Sequence, residues 1–178
     1  MTTREIFLLV QEELYAQNVD TEITEDEIVW TDHYGAENSV SEWQTAVSEN
    51  GWVAWWLRND VGNDMVKIWK SRDIVITWHP PLNTMGQSSL GGRLQFFENF
   101  LMIRYYDKHG ERIFIFNIHT LNKTEIFMIP SKFKSYDHTL FIGNSFNSQV
   151  LKITNNTDHM EKEEVDEEYM KSLNLKFD

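Results

Sequence analysis

Apolar residues in the first twenty positions recur at the spacing of an amphipathic helix. Thr2 stands where an N-cap residue stands, and Glu5 lies three positions later, as in a capping box. Asn18 and Asp20 are residues that commonly end a helix. The pattern therefore predicts an N-terminal helix with one apolar face, made by residues three or four positions apart: Ile6, Leu9, Val10 and Leu14.

A second helical pattern follows a short predicted strand at 28–30. Ser39 and Glu42 have the spacing of another capping box, and Asn50-Gly51 tolerates the positive φ that closes a helix. These signals predict a helix over 39–51. Its apolar residues would share one face: Val40, Trp43, Ala46 and Val47.

From residue 52 onward the period changes to two. Residues 52–57 are apolar at every position, which is typical of a central strand covered on both faces. Residues 65–70 and 73–78 predict a hairpin that ends at His79-Pro80-Pro81, and residues 82–92 predict a long loop. The remaining predicted strands follow one another without long crossovers: 93–97, 100–106, 111–118, 124–129, 139–142 and 149–154.

These elements predict an α+β fold, a largely antiparallel β-sheet of about eight strands with N-terminal helices. A small β-barrel or a partial propeller is the alternative. Trp55 and Ile115 lie in strands that are apolar on both faces, so both should be buried.

Residues 1–156 are predicted to form a single domain, and 157–178 an acidic C-terminal segment that is helical or partly disordered. Asp158 could cap a helix in this segment, whose Val165, Tyr169 and Leu173 share one face. Because that apolar face is thin, we expect removal of the segment to leave folding cooperative.

Composition excludes several kinds of chemistry. The 178 residues include no cysteine, which excludes disulfides, thiolate zinc sites and cysteine nucleophiles. None of the six histidines stands in HxH or HExxH spacing, and no phosphate loop or nucleophile elbow is present. The sequence therefore predicts no metal, no cofactor and no catalytic residue.

Charge is distributed unevenly. The net charge is −12, and residues 1–60 alone hold 13 acidic and two basic residues, a net −11. Such a surface attracts cationic partners and repels nucleic acid and anionic membranes. The apolar run at 6–10 is too short for a secretory signal, so a cytoplasmic protein is expected.

The most distinctive cluster is acidic and lies between the two predicted helices. Its spacing does not match a calcium loop, and a solvated face is the plain alternative to a binding role. We interpret it as a docking surface for a basic protein. The candidate partner-binding residues are Glu22, Glu25, Asp26, Glu27, Asp32 and Glu37.

In outline the chain resembles the cytoplasmic immunity proteins of bacterial contact-dependent inhibition and polymorphic toxin systems. The shared features are the acidic segment 22–49, the aromatic-rich sheet 52–129, the acidic tail 161–168 and the lack of a catalytic motif. The resemblance implies a stoichiometric inhibitor, not an enzyme, that neutralises a toxin domain such as a basic nuclease. A non-catalytic adaptor module and an enzyme with a dispersed polar site are the alternatives.

Overall fold

The computed structural model describes residues 1–71, 74–81, 92–107 and 110–177. The chain is α+β and mostly antiparallel, with one helix near each end. The described strands form three sheets, where the sequence predicted one of about eight strands, and none of these sheets closes into a barrel. The predicted loop at 82–92 lies outside the described residues except for Gly92.

The chain divides into two compact units. Unit 1 comprises Met1–Gln95 and Ile103–Arg112, and unit 2 comprises Phe96–Met102 and Ile113–Asp178. The division into a domain over 1–156 and a segment over 157–178, which the sequence predicts, stays a prediction.

Unit 1 begins with helix α1 (Thr3–Tyr15). As predicted, Thr2 caps the helix, because its hydroxyl accepts a hydrogen bond from the Glu5 N–H at 3.2 Å. A seven-stranded sheet follows in the order β1-β2-β3-β5-β6-β7, with β4 also paired to β5. Its strands are β1 (Glu22–Ile23), β2 (Glu27–Thr31), β3 (Glu37–Ser41), β4 (Thr45–Val47), β5 (Val53–Asn59), β6 (Met65–Lys70) and β7 (Ile74–Trp78).

The core of unit 1 lies between α1 and this sheet. Ile6, Phe7 and Val10 of the helix pack with Trp30 and Trp55 of the strands. Strand β5 is central and buried on both faces, and Trp55 is 2% exposed, as the uninterrupted apolar run predicted. The hairpin of β6 and β7 is likewise confirmed.

Two four-stranded sheets complete the chain, in the orders β11-β10-β9-β8 and β12-β13-β14-β15. The unit 2 core joins them through residues such as Ile115, which is 0% exposed as predicted, and Ile142. The strands are β8 (Gly92–Phe97), β9 (Phe100–Asp107), β10 (Gly110–Asn117), β11 (Lys123–Ile126), β12 (Lys132–Tyr136), β13 (Thr139–Gly143), β14 (Gln149–Asn155) and β15 (Met160–Asp166).

The predicted helix over 39–51 is wrong. Residues 37–41 form β3, Glu42–Gln44 form one 3₁₀ turn, and residues 45–47 form β4. Val40 is buried opposite Ile28 of β2, whereas Trp43 remains 52% exposed. Of the four apolar residues predicted to share a helical face, only Val40 is buried, because strand pairing turns it towards the core. The helical face that the spacing suggested does not exist.

The C-terminal segment contains the predicted helix, although only in its second half. Its acidic first half is β15, which pairs with β14 along its whole length, so that Lys152 lies opposite Glu163. Helix α2 (Glu167–Ser172) begins only after Asp166, whose carboxylate accepts a hydrogen bond from the Tyr169 N–H at 2.9 Å. In the part of the chain that the structure describes, no helix is long and apolar enough to cross a membrane.

Candidate functional site

The open face of the unit 1 sheet carries three of the six predicted acidic residues, Glu22, Glu27 and Glu37. Directly opposed residues of antiparallel strands point to the same face, and the register aligns Glu22 with Val29, Val29 with Ser39, and Ser39 with Arg58. Neighbouring strands lie about 4.8 Å apart, so this row spans roughly 14 Å. It forms the floor of a cleft of about 810 Å³.

Carboxylates surround this floor. With His33 neutral, five carboxylates and one guanidinium give the cleft a formal net charge of −4. We call this surface the acidic face, and its charged residues are Asp20, Glu22, Glu27, Glu37, Arg58 and Asp60.

The opposite face of the same strands explains why the acidic face is open. Ile28, Trp30 and Val40 point the other way and are buried beneath α1. Because side chains alternate along a strand, burying these residues obliges Glu27, Val29 and Thr31 to point outward. The register therefore fixes the acidic face as firmly as it fixes the core.

Asp32 has a structural role in the turn between β2 and β3. Its Oδ1 accepts hydrogen bonds from the Tyr34 and Ala36 N–H groups at 2.9 and 3.0 Å, and its Oδ2 accepts one from Asn38 Nδ2 at 3.1 Å. The Asn38 hydrogen bond, supported by both backbone N–H groups, holds the pKa of the Asp32 carboxyl below its ordinary value. Gly35 closes the turn at a φ of 83°.

A buried polar network supports this turn from within unit 1. Asn59 Nδ2 donates to Asn38 Oδ1 at 2.8 Å, and the Asn59 N–H donates to Asp64 Oδ1 at 2.8 Å. The second carboxylate oxygen of Asp64 accepts a hydrogen bond from Trp56 Nε1 at 2.8 Å. Asp64 is only 2% exposed, so this carboxylate anchors the end of β5.

The structure separates the six residues that the sequence grouped. Glu22, Glu27 and Glu37 lie together on the acidic face. Glu25 and Asp26 lie in the exposed turn between β1 and β2, and the Asp26 carbonyl oxygen accepts a hydrogen bond from the Glu42 N–H at 2.8 Å. The Asp32 carboxylate accepts hydrogen bonds within the turn between β2 and β3.

Sequence reasoning missed the residues that complete the acidic face. Asp20 follows α1, while Arg58 and Asp60 lie at the end of β5, about twenty residues beyond Glu37. Asp60 Oδ1 accepts a hydrogen bond from the Glu37 N–H at 3.1 Å, which joins the two segments. Only the pairing of Asn38 with Asn59 reveals this proximity.

His33 also lines the cleft, and its Nε2 lies 3.1 Å from the Gln17 carbonyl oxygen. Among the described residues, no group of three or more histidine and acidic side chains is arranged to hold a metal ion. Of the other histidines, His109 lies outside the described residues. The five carboxylates make the acidic face suited to binding positive charge.

Comparison of the chain with protein-family models, with curated proteins and with solved structures finds no match.

Proposed function

We propose that this protein is a stoichiometric inhibitor of the immunity type, which binds a basic protein partner through its acidic face and blocks that partner's activity. The observation that carries the proposal is the convergence of five carboxylates around one open cleft. A basic toxin domain, such as a nuclease with a cationic substrate cleft, has the complementary surface. We place this activity in the cytoplasm.

Electrostatics gives the acidic face two separate effects. Charges at the rim raise the rate of encounter with a cationic partner, and this gain weakens as salt screens the field. The floor supplies Val29 and Ser39, which a partner can cover directly. The same face can therefore attract a partner and hold it.

The test uses three forms of the protein as bait in a lysate of the native cell. The wild type is compared with two variants of equal net charge. The acid-face variant carries Glu22→Gln, Glu27→Gln, Glu37→Gln and Asp60→Asn. The control variant neutralises four exposed acids of unit 2 and carries Glu98→Gln, Asp137→Asn, Glu163→Gln and Glu168→Gln.

We expect a basic protein to be retained by the wild type and the control variant and lost by the acid-face variant. Once purified, that partner should lose its activity when one equivalent of the protein is added. Equal retention by all three baits would overturn the assignment of the acidic face. A partner that keeps its full activity in the complex would instead identify an adaptor.

A further inference from the structure

A second cleft opens on the helix-facing side of the unit 1 sheet, next to the turn that Asp32 organises. It has a volume of about 360 Å³, within the range of roughly 300–1,000 Å³ that small ligands occupy. We call it the aromatic cleft, and the residues that matter here are Glu13, Trp30, Asp32, Tyr34, Trp55 and Met65.

The wall of the aromatic cleft that adjoins the unit 1 core is apolar, while Asn38 and Asn59 also line the cleft. Trp30 and Trp55 belong to the unit 1 core, and Met65 packs against that core while remaining partly exposed. A side chain that enters the cleft would therefore lay its aliphatic part against hydrocarbon and indole surface.

Tyr34 stands at the rim and packs against almost nothing, since it is 97% exposed. Its main-chain N–H is fixed by Asp32 Oδ1 at 2.9 Å, so the residue is held at the turn while its ring stays uncovered. Exposed tyrosines of this kind are enriched among residues that dominate protein interfaces. The face of the ring also attracts cations.

The aromatic cleft is lined by the carboxylates of Asp32 and Glu13 and by the ammonium group of Lys67, so its net negative charge comes from one carboxylate. Asp32 can accept about four hydrogen bonds and receives three from Tyr34, Ala36 and Asn38, which leaves one acceptor position on Oδ2. The Oε1 atom of Glu13 forms an ion pair with Lys67, another residue of the cleft. Asp32 and Tyr34 both line this cleft.

We propose that the aromatic cleft receives an arginine side chain of the basic partner, with its guanidinium between the Tyr34 ring and the Asp32 carboxylate. This proposal rests on the proposed function and specifies how the partner is recognised. Arginine fits better than lysine because a planar guanidinium can stack on a ring while its N–H groups bond a carboxylate. Its three methylene groups would lie against the apolar wall.

The test uses N-acetyl-argininamide as the probe, followed by NMR titration of the isotopically labelled full chain. We expect resonances of Tyr34, Asn38 and the Trp30 indole to shift. N-acetyl-citrullinamide has nearly the same shape without the charge and should leave them in place. Equal shifts with the citrulline compound, or shifts confined to residues outside the cleft, would overturn the proposal.

Tyr34→Ala should weaken binding of the arginine probe about two- to fivefold, which is the expected effect of losing a cation–π contact at an exposed site. The fold should survive, because the ring is 97% exposed. The matched control is Tyr136→Ala, which removes a 55% exposed tyrosine of unit 2 and should change nothing. Unchanged affinity in Tyr34→Ala would count against the proposal.

The two proposals fail in different ways. If the arginine probe does not enter the cleft while the acid-face variant still loses its partner, the aromatic cleft proposal is wrong and the proposed function stands. If the probe enters the cleft while partner capture ignores the acid-face substitutions, the assignment of the acidic face is wrong.

Discussion

Removing the Asp64 carboxylate should destabilise unit 1 strongly. Asp64 is 2% exposed and accepts hydrogen bonds from Trp56 Nε1 and the Asn59 N–H, each at 2.8 Å. Hydrogen bonds to a charged group contribute about 1.5–3 kcal/mol each, and Asp64→Ala leaves two buried N–H donors without this acceptor. The expected loss of unfolding free energy is about 3–6 kcal/mol.

Urea unfolding, monitored by tryptophan fluorescence, measures the loss of stability in unit 1. All seven tryptophans lie between residues 30 and 78, within unit 1, so the signal reports the unit that contains Asp64. With a denaturant slope of about 2 kcal/mol per molar urea, the midpoint should fall by about 1.5–3 M. Asp64→Asn keeps one acceptor oxygen and should lose about half as much.

The control is Asp20→Ala, which removes an exposed carboxylate of the same unit and should change stability by no more than about 0.5 kcal/mol. If the Asp64→Ala midpoint moved no further than that of the control, the polar network would not anchor β5 as described.

Three further predictions concern unit 2. Ile115→Ala should lower the free energy of unfolding by about 2–5 kcal/mol, because Ile115 is fully buried. Unfolding followed by circular dichroism measures this loss, and a loss under about 1 kcal/mol would refute the place of Ile115 in the core. Truncation to residues 1–156 removes β15 and also Met170, which covers Phe141 and Val150. Binding of a hydrophobic dye should therefore rise, and the unfolding transition should become less cooperative. A sharp unfolding transition without dye binding would support the prediction from sequence that the segment is dispensable for folding. The carboxylate of Asp158 raises the pKa of His159 above its ordinary 6.5, so an NMR titration should find a raised pKa, and Asp158→Asn should lower it. The stabilisation that this contact adds is present below the pKa of His159 in the unfolded chain and disappears as pH rises through the pKa in the folded protein. A titration without a shift would contradict the contact.

Elements whose signals are local could be predicted from sequence. The Thr2 cap and the spacing of Ile6 and Val10 sufficed for α1, and uninterrupted apolar residues sufficed for β5. In both cases the pattern that folds the element is contained within it.

Elements that depend on distant partners could not be predicted in this way. Ser39 and Glu42 have helical capping spacing, yet Val40 gains more by pairing opposite Ile28 in the sheet. Likewise, β15 is an acidic strand only because β14 supplies a neighbour, with Lys152 opposite Glu163. Such pairing overrides local preference, and one sequence does not reveal it.

The residues of the acidic face also differ in whether the sequence alone reveals their proximity. Glu22 and Glu27 are close in sequence and line one cleft with Glu37, whereas Asp60 reaches Glu37 only through the register of β3 and β5. Asp32 could have been recognised as a turn residue, since an aspartate three positions before Gly35 is a familiar turn signal.

The most direct test of the central claim is the association rate of the captured partner, measured from about 30 to about 300 mM salt. For the wild type and the control variant, the rate should fall steeply as salt rises. The acid-face variant should associate more slowly at low salt and show a flatter dependence. If that variant kept the wild-type rate and the wild-type slope, the acidic face would not be the docking surface.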